Sequence, residues 1–358
     1  MSPSAVCEAS PESQGLVNGH NGNGSFTAVK PSNGTISLAE SLAGLQTEQK
    51  NSKTTNIDSM SSLELCRKFD SLGKRRWILT IDCLGVINEE DASVAQAVQT
   101  CLPQIADAID VIVPRLLSGG RVIYTGAGTS GSPPTFSAPP GQFVGLIAGG
   151  DYAIRNAVEG AEDSEELGAT DLAELTPPLS KKDTLVGIAS SGRTPYVLGG
   201  LKYVRSIGAA TVGLACVKPS SLRSLCDVLI ECVTGPEVVT GSTRLKAGTA
   251  TKMILNMIST GSQIRIGKTF GNLMVDLKMS NEKLQNRARR VARMVVPPSS
   301  ALDIESEEVL DAVLADCDGQ VKLSILVATL GCSPAEGRAK LEAASGSLRQ
   351  ALQLNLTD

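Results

Sequence analysis

The chain of 358 residues predicts an α/β fold, a parallel sheet covered by helices on both faces, with a small helical module after it. Three observations predict it. Short apolar runs recur at 121–125, 143–148, 184–189, 210–215 and 227–231. Helical stretches at about 151–159, 164–175 and 195–207 separate several of them, the alternation that a parallel sheet requires. Beyond about residue 280 only helical patterns remain.

Taken in order, residues 1 to about 50 are rich in Ser, Asn, Gly and Thr and predict a disordered tail. Residues 51–118 form an N-terminal helical segment. Its last part, Ala92 to Leu117, carries an apolar helical period (Val94, Val98, Ile105, Ile109, Ile112, Leu116) and stops at Gly119-Gly120. The five apolar runs are the strands of a domain spanning 119–296, and Lys246 to Ile266 reads as a long buried helix of that domain. Ser280-Asn-Glu-Lys283 begins a basic helix that ends at Pro297-Pro298, with Arg287, Arg289, Arg290 and Arg293 on a solvated face. Three short helical patterns between 303 and 352 make up the module, placed at 299–358.

Two strands run straight into loops suited to an anion. Arg121-Val-Ile-Tyr-Thr enters Gly126-Ala-Gly-Thr-Ser-Gly131, and Thr184-Leu-Val-Gly-Ile enters Ala189-Ser-Ser-Gly-Arg-Thr194. Glycine lets backbone approach an oxyanion, hydroxyls donate to it, and a following helix adds its positive N-terminal end. The pair points to one phosphorylated, hydroxyl-rich small molecule between two loops, touched by Thr129, Ser130, Ser190, Ser191, Gly192, Arg193 and Thr194. The same hydroxyls can instead satisfy their own turns. Gly126, Gly128 and Gly131 also fit a dinucleotide fingerprint, but Asp151 falls beyond the expected strand end and the second loop has no part in that scheme.

Composition excludes several classes. The only histidine, His20, lies in a glycine- and asparagine-rich stretch, which rules out Ser-His-Asp triads, His-ligated zinc and histidine general bases. Proton chemistry then falls to carboxylates, lysine, tyrosine, cysteine or water. A net charge of -4 gives no reason to expect nucleic acid or an anionic membrane as partner. Nine scattered cysteines without a C-x-x-C pair or a secretory leader read as a reduced, cytoplasmic protein, and no window is long and apolar enough to span a membrane.

Five motifs then occur in order: Gly126-Ala-Gly-Thr-Ser-Gly131, Gly145-Leu-Ile-Ala-Gly-Gly150, Ala157-Val-Glu-Gly-Ala-Glu-Asp163, Ala189-Ser-Ser-Gly-Arg-Thr-Pro-Tyr196 and Gly235-Pro-Glu-Val-Val-Thr-Gly-Ser-Thr-Arg-Leu-Lys-Ala-Gly-Thr-Ala250. Together with Gly271-Asn-Leu-Met-Val-Asp276 and Ser280-Asn-Glu-Lys-Leu284 they resemble the N-acetylmuramic acid 6-phosphate etherases, from about Asn56 to the C-terminus. The resemblance implies a sugar isomerase (SIS) domain, a flavodoxin-like three-layer sandwich, with a UBA-like C-terminal module and a homodimeric assembly. It also implies a phosphorylated amino sugar as substrate and no metal or organic cofactor. The activity it implies is removal of D-lactate from the sugar's 3-position: the C2 proton of the open-chain aldehyde is abstracted, the lactyl ether is eliminated, and water adds at C3. Two glutamates share the proton transfers in the family, and Glu162 matches one of them. Ser242, Thr243 and Lys246 lie in a motif that the family places by the sugar; they either bind it or cap the long helix that follows. Glu237 and Arg244 receive no role.

The chain departs from the family twice. The other glutamate belongs to a segment of about nine residues that is absent here, because Gly131-Ser132 is followed at once by Pro133-Pro-Thr135. Pro133, Pro134, Pro139 and Pro140 forbid a regular helix after the first loop. Upstream, residues 68–86 are an insertion containing the only tryptophan, Trp77. Two functions therefore stay open: a carbon–oxygen lyase, or a non-catalytic phosphosugar-binding regulator akin to glucokinase regulatory protein, a two-domain relative of the family. The missing glutamate segment discriminates them, since a sensor can do without it.

Overall fold

The computed structural model describes residues 46–52, 84–126, 138–156, 158–277, 279 and 282–353. Most of the insertion at 68–86, and Thr129, Ser130 and the Pro133-Pro134 junction, lie outside the described residues.

A helix, α1 (84–91), leads into α2 (Val94–Gln99) and α3 (Leu102–Leu117). The single helix expected over Ala92–Leu117 is thus two. Pro103 sits in the first turn of α3, where its missing N–H costs nothing, but it cannot continue α2. The five expected strands are β1 (Val122–Gly126), β2 (Phe143–Ile147), β3 (Thr184–Ile188), β4 (Ala210–Ala215) and β5 (Val228–Glu231). All pair in parallel, in the order β2-β1-β3-β4-β5.

Alternate residues of the strands feed two cores, which makes the three-layer sandwich expected from the sequence. On one face Val122, Tyr124, Val186, Ile188, Val212 and Leu214 pack under α2, α3 and α7 (Lys246–Arg265). On the other, Ile123, Leu185 and Ala215 pack under α5 (Glu165–Ala173) and α6 (Pro195–Ser206). Where a helix was expected over about 151–159, only the short α4 (Gly150–Ala153) forms, and no apolar side chain of it is buried.

The chain then crosses a two-residue ribbon, β6 (Thr269–Phe270) with β7 (Leu273–Met274), before α8 (Glu282–Val295). Four helices follow, not three: α9 (Glu307–Asp316), α10 (Val321–Leu330), α11 (Pro334–Ala343) and α12 (Leu348–Gln353). α8, assigned by sequence to the sheet domain, joins the C-terminal module. Its Ala288, Val291 and Ala292 share one core with Leu310, Leu314, Leu326 and Leu348. Part of its basic face is also paired, since Arg289 forms a fork with Asp311 at 2.7 and 2.8 Å.

Candidate active site

Every loop that follows a parallel strand emerges at the same end of the sheet, where open α/β sheets bind ligands. The loop after β3 is fixed backbone by backbone. Gly192 donates to the Ala189 carbonyl at 2.8 Å and accepts from Ser221 N–H at 2.8 Å. Its φ of +72° suits glycine, and a Cβ there would stand 2.7 Å from Ser220 Cβ and 2.8 Å from Val217 Cγ2. Thr194 occupies the N-cap position of α6, yet its side chain makes no cap hydrogen bond, and Ser190 and Ser191 are half-buried.

Glu162 lies beside this loop. Its carbonyl accepts the Tyr196 N–H at 3.0 Å, so the chain two residues ahead of the α5 N-cap is stitched to the first turn of α6. Ser164 caps α5 by accepting Leu167 N–H at 3.0 Å, which fixes the entry of the chain after Asp163. The two helices can meet so closely only because they meet through glycine. A Cβ at Gly168 would fall 1.9 Å from the Tyr196 carbonyl oxygen, and one at Gly199 would fall 1.9 Å from that of Glu165. Tyr196 is fully buried and donates its hydroxyl to Asp171 at 2.6 Å; burial, and then the Asp171 carboxylate, raise its pKa well above the usual phenol. The Glu162 side chain itself is exposed.

The start of α7 forms the other wall. The Glu237 carboxylate, fully buried, accepts Lys246 N–H at 2.9 Å and Ala247 N–H at 3.0 Å. It thereby occupies the anion position of that helix N-terminus. Of the two roles left open for Ser242, Thr243 and Lys246, capping is taken by Glu237, because the N-cap residue is Leu245 and makes no side-chain cap. Lys246 is 2% exposed and its ammonium meets Glu90 at 2.7 Å, while Ser242 and Thr243 are half-buried in the turn before it. The α7 wall touches the β3 loop through Cys216, whose thiol meets the Ala247 carbonyl at 3.5 Å and whose N–H donates to the Ser190 carbonyl at 3.0 Å. Burial pushes that thiol up to about 11.

The structure therefore brings Glu162, Ser190, Ser191, Gly192, Arg193 and Thr194 to one loop cluster, with Ser242, Thr243 and Lys246 on the neighbouring wall. Sequence reasoning missed Asn51, Glu90 and the cap made by Glu237. The disordered tail expected to run to about residue 50 already makes ordered contacts at Gln46–Glu48, a 3-10 turn joined to Lys218. Among the described residues, no helix is long and apolar enough to cross a membrane.

A five-stranded parallel sheet in this order, with its loops at the carboxyl edge, is the flavodoxin-like arrangement, and the family models make the chain an SIS-domain protein. The SIS domain model matches residues 166–260, and that of the glucokinase regulatory protein N-terminal SIS domain matches 104–205. The chain belongs to the N-acetylmuramic acid 6-phosphate etherase family. It is 44% identical over 322 residues to the etherase of Caldanaerobacter subterraneus subsp. tengcongensis, covering 87% of this chain and 96% of that one. It is 46% identical to that of Rhodopirellula baltica (88% and 98% covered) and 46% identical to that of Salmonella agona (87% and 99%). Among solved structures, a phosphoheptose isomerase from Francisella tularensis is 16% identical over 51% of this chain and 98% of that chain, with a TM-score of 0.37.

Proposed function

We propose that this protein is a carbon–oxygen lyase that binds N-acetylmuramic acid 6-phosphate and cleaves its D-lactyl ether. The observation that supports the reading is the main-chain bond from Tyr196 N–H to the Glu162 carbonyl, which ties the glutamate's backbone to the chain two residues beyond the hydroxyl loop at 189–194. Ser190, Ser191, Thr194 and the backbone around Gly192 hold the phosphate, aided by Thr129 and Ser130 of the first loop, while Ser242 and Thr243 face the sugar. Lys246 contributes through the helix start that it anchors, its ammonium being taken up by Glu90.

The sugar reacts as its open-chain aldehyde. The Glu162 carboxylate takes the C2 proton, which the adjacent carbonyl acidifies. The C3–O bond then breaks, and its electron pair leaves on the lactate oxygen, which is protonated by water. Water adds to C3 of the unsaturated aldehyde and a proton returns to C2, giving N-acetylglucosamine 6-phosphate and D-lactate. With the second glutamate segment absent, the leaving group lacks a general acid, and turnover falls about a hundred- to ten-thousand-fold below that of an intact relative. The contacts that the loop at 189–194 makes to phosphate do not depend on that segment. A cytoplasmic homodimer is the setting that fits a family of phosphosugar enzymes and a chain with nine cysteines and no C-x-x-C pair.

The test separates proton abstraction from lactate release. In heavy water, the protein should exchange the C2 proton of N-acetylmuramic acid 6-phosphate while releasing lactate slowly. Glu162→Gln keeps size and one acceptor but cannot take a proton, so exchange should vanish with phosphosugar affinity nearly unchanged. Wild-type exchange in that variant would move the base role elsewhere. Binding without any C2 exchange in the unmodified protein would favour the regulator that the missing segment also allows.

A further inference from the structure

We propose that Asn51 and Glu90 are positioning residues for this site, acting through Lys246 and the first turn of α7; the inference rests on the phosphosugar reading above. Glu90 Oε2 accepts two hydrogen bonds, from Lys246 Nζ at 2.7 Å and from Asn51 Nδ2 at 2.8 Å. Asn51 and Glu90 are each 8% exposed and Lys246 is 2% exposed, so the cluster is buried. The bonds join residues 39 and 156 positions apart, tying the N-terminal segment and α1 to the start of α7.

A buried ion pair is poor evidence of stability, because apolar side chains of like volume often serve as well. Its better-attested use is to fix one arrangement among several, and here its position shows which. The Lys246 ammonium is held by Glu90 while its backbone N–H, with that of Ala247, is held by Glu237. The first turn of α7 is thus locked from two sides. The lock reaches the phosphate loop in one step, through Cys216, which contacts Ala247 on one side and Ser190 on the other. The same N-terminal segment grips the adjoining loop as well. Gln46 Nε2 donates to the Lys218 carbonyl at 3.0 Å, and Lys218 N–H donates back to Gln46 Oε1 at 3.3 Å. Two residues on, Ser220 lies against Gly192, the tightest point of the phosphate loop. Residues 46–51 therefore strap both supports of the 189–194 loop, and Asn51–Glu90 is the buried end of the strap.

The experiment uses the full chain, with Asn51→Ala and Glu90→Gln compared with the unmodified protein. Backbone amide exchange followed by mass spectrometry reads local opening, and calorimetry reads the Kd for N-acetylglucosamine 6-phosphate. In both variants the segments 189–194 and 235–247 should exchange about ten-fold faster, while β3 and β4 exchange at the unmodified rate. Kd should weaken about ten-fold in Glu90→Gln and about three-fold in Asn51→Ala. If Glu90→Gln fails to fold around its stranded ammonium, Asn51→Ala, which removes no charge, carries the decision. Unchanged loop exchange, acceleration spread evenly over the sheet, or a lowered melting temperature with Kd unmoved would each overturn the proposal. If the unmodified protein binds no phosphosugar, the functional reading fails, and the exchange pattern still decides whether the strap positions the loops.

Discussion

Gly168→Ala is a sharp test of how Glu162 is held. The added Cβ would lie 1.9 Å from the Tyr196 carbonyl oxygen and 2.8 Å from its carbon, both backbone atoms on α6. Ordinary contact needs about 3.4 Å, so α5 and α6 must separate by roughly 1.5 Å. No side-chain rotamer can absorb this, because both partners are main chain. Overpacking of this kind costs about 3 kcal/mol, the upper part of its usual range, which lowers Tm by about 6–12 °C in a domain of this size. The separation also pulls the Tyr196 N–H away from the Glu162 carbonyl, now at 3.0 Å. A displacement of about 1 Å at a reacting group costs on the order of a hundred-fold in rate. Circular dichroism melting and C2 exchange in heavy water should therefore fall together. A variant with the unmodified Tm and exchange rate would refute the glycine-mediated contact and the placement of Glu162 that depends on it.

Three further outcomes follow from the same geometry. Gly192→Ala forces a side chain into a φ of +72° and against Ser220 and Val217, so it should lower stability by about 1–3 kcal/mol in chemical denaturation and weaken phosphosugar binding in calorimetry. On the proposed reading, inserting after Gly131 the segment of about nine residues that carries the second family glutamate should raise lactate release about a hundred- to ten-thousand-fold, and unchanged release would show that this glutamate is not what limits turnover. Tyr124 and Tyr196 are buried with phenol pKa values raised above the ordinary value near 10, so their contribution to stability is complete below that pH and is lost as pH rises through the folded values. Stability should fall by up to about 2.7 kcal/mol per pH unit above pH 10, and Tyr124→Phe, which removes a buried hydroxyl with no partner among the described residues, should halve that slope and add about 1 kcal/mol at pH 7.

The local elements were legible because they depend on neighbours in sequence. The five strands fall within a residue or so of the apolar runs, and the three inner ones, β1, β3 and β4, are buried at every position, as a strand covered on both faces reads as a continuous apolar run. The 189–194 loop was readable because a left-handed backbone position asks for glycine and a helix start accepts proline, as Gly192 and Pro195 show. Glu162 was found only through its motif; as an exposed acid ahead of a helix it has no signature of its own. Other features were beyond the reach of sequence. A hydrophobic stripe says that α8 buries a face but not against which core, and the tertiary structure alone gives it to the C-terminal helices. The insertion's boundaries and Pro103 do not reveal that α1 delivers Glu90 to Lys246, because a bond across 156 residues leaves no periodic trace. Nor does a lysine at a helix start declare its partner: whether Lys246 meets a phosphate, the solvent or a carboxylate depends on which chain segments the folded sheet brings to its carboxyl edge. What the sequence determined by itself was the set of elements and the chemistry of their loops. Only the tertiary structure decided which buried groups hold those loops in place, since each such bond joins residues that local propensity treats as independent.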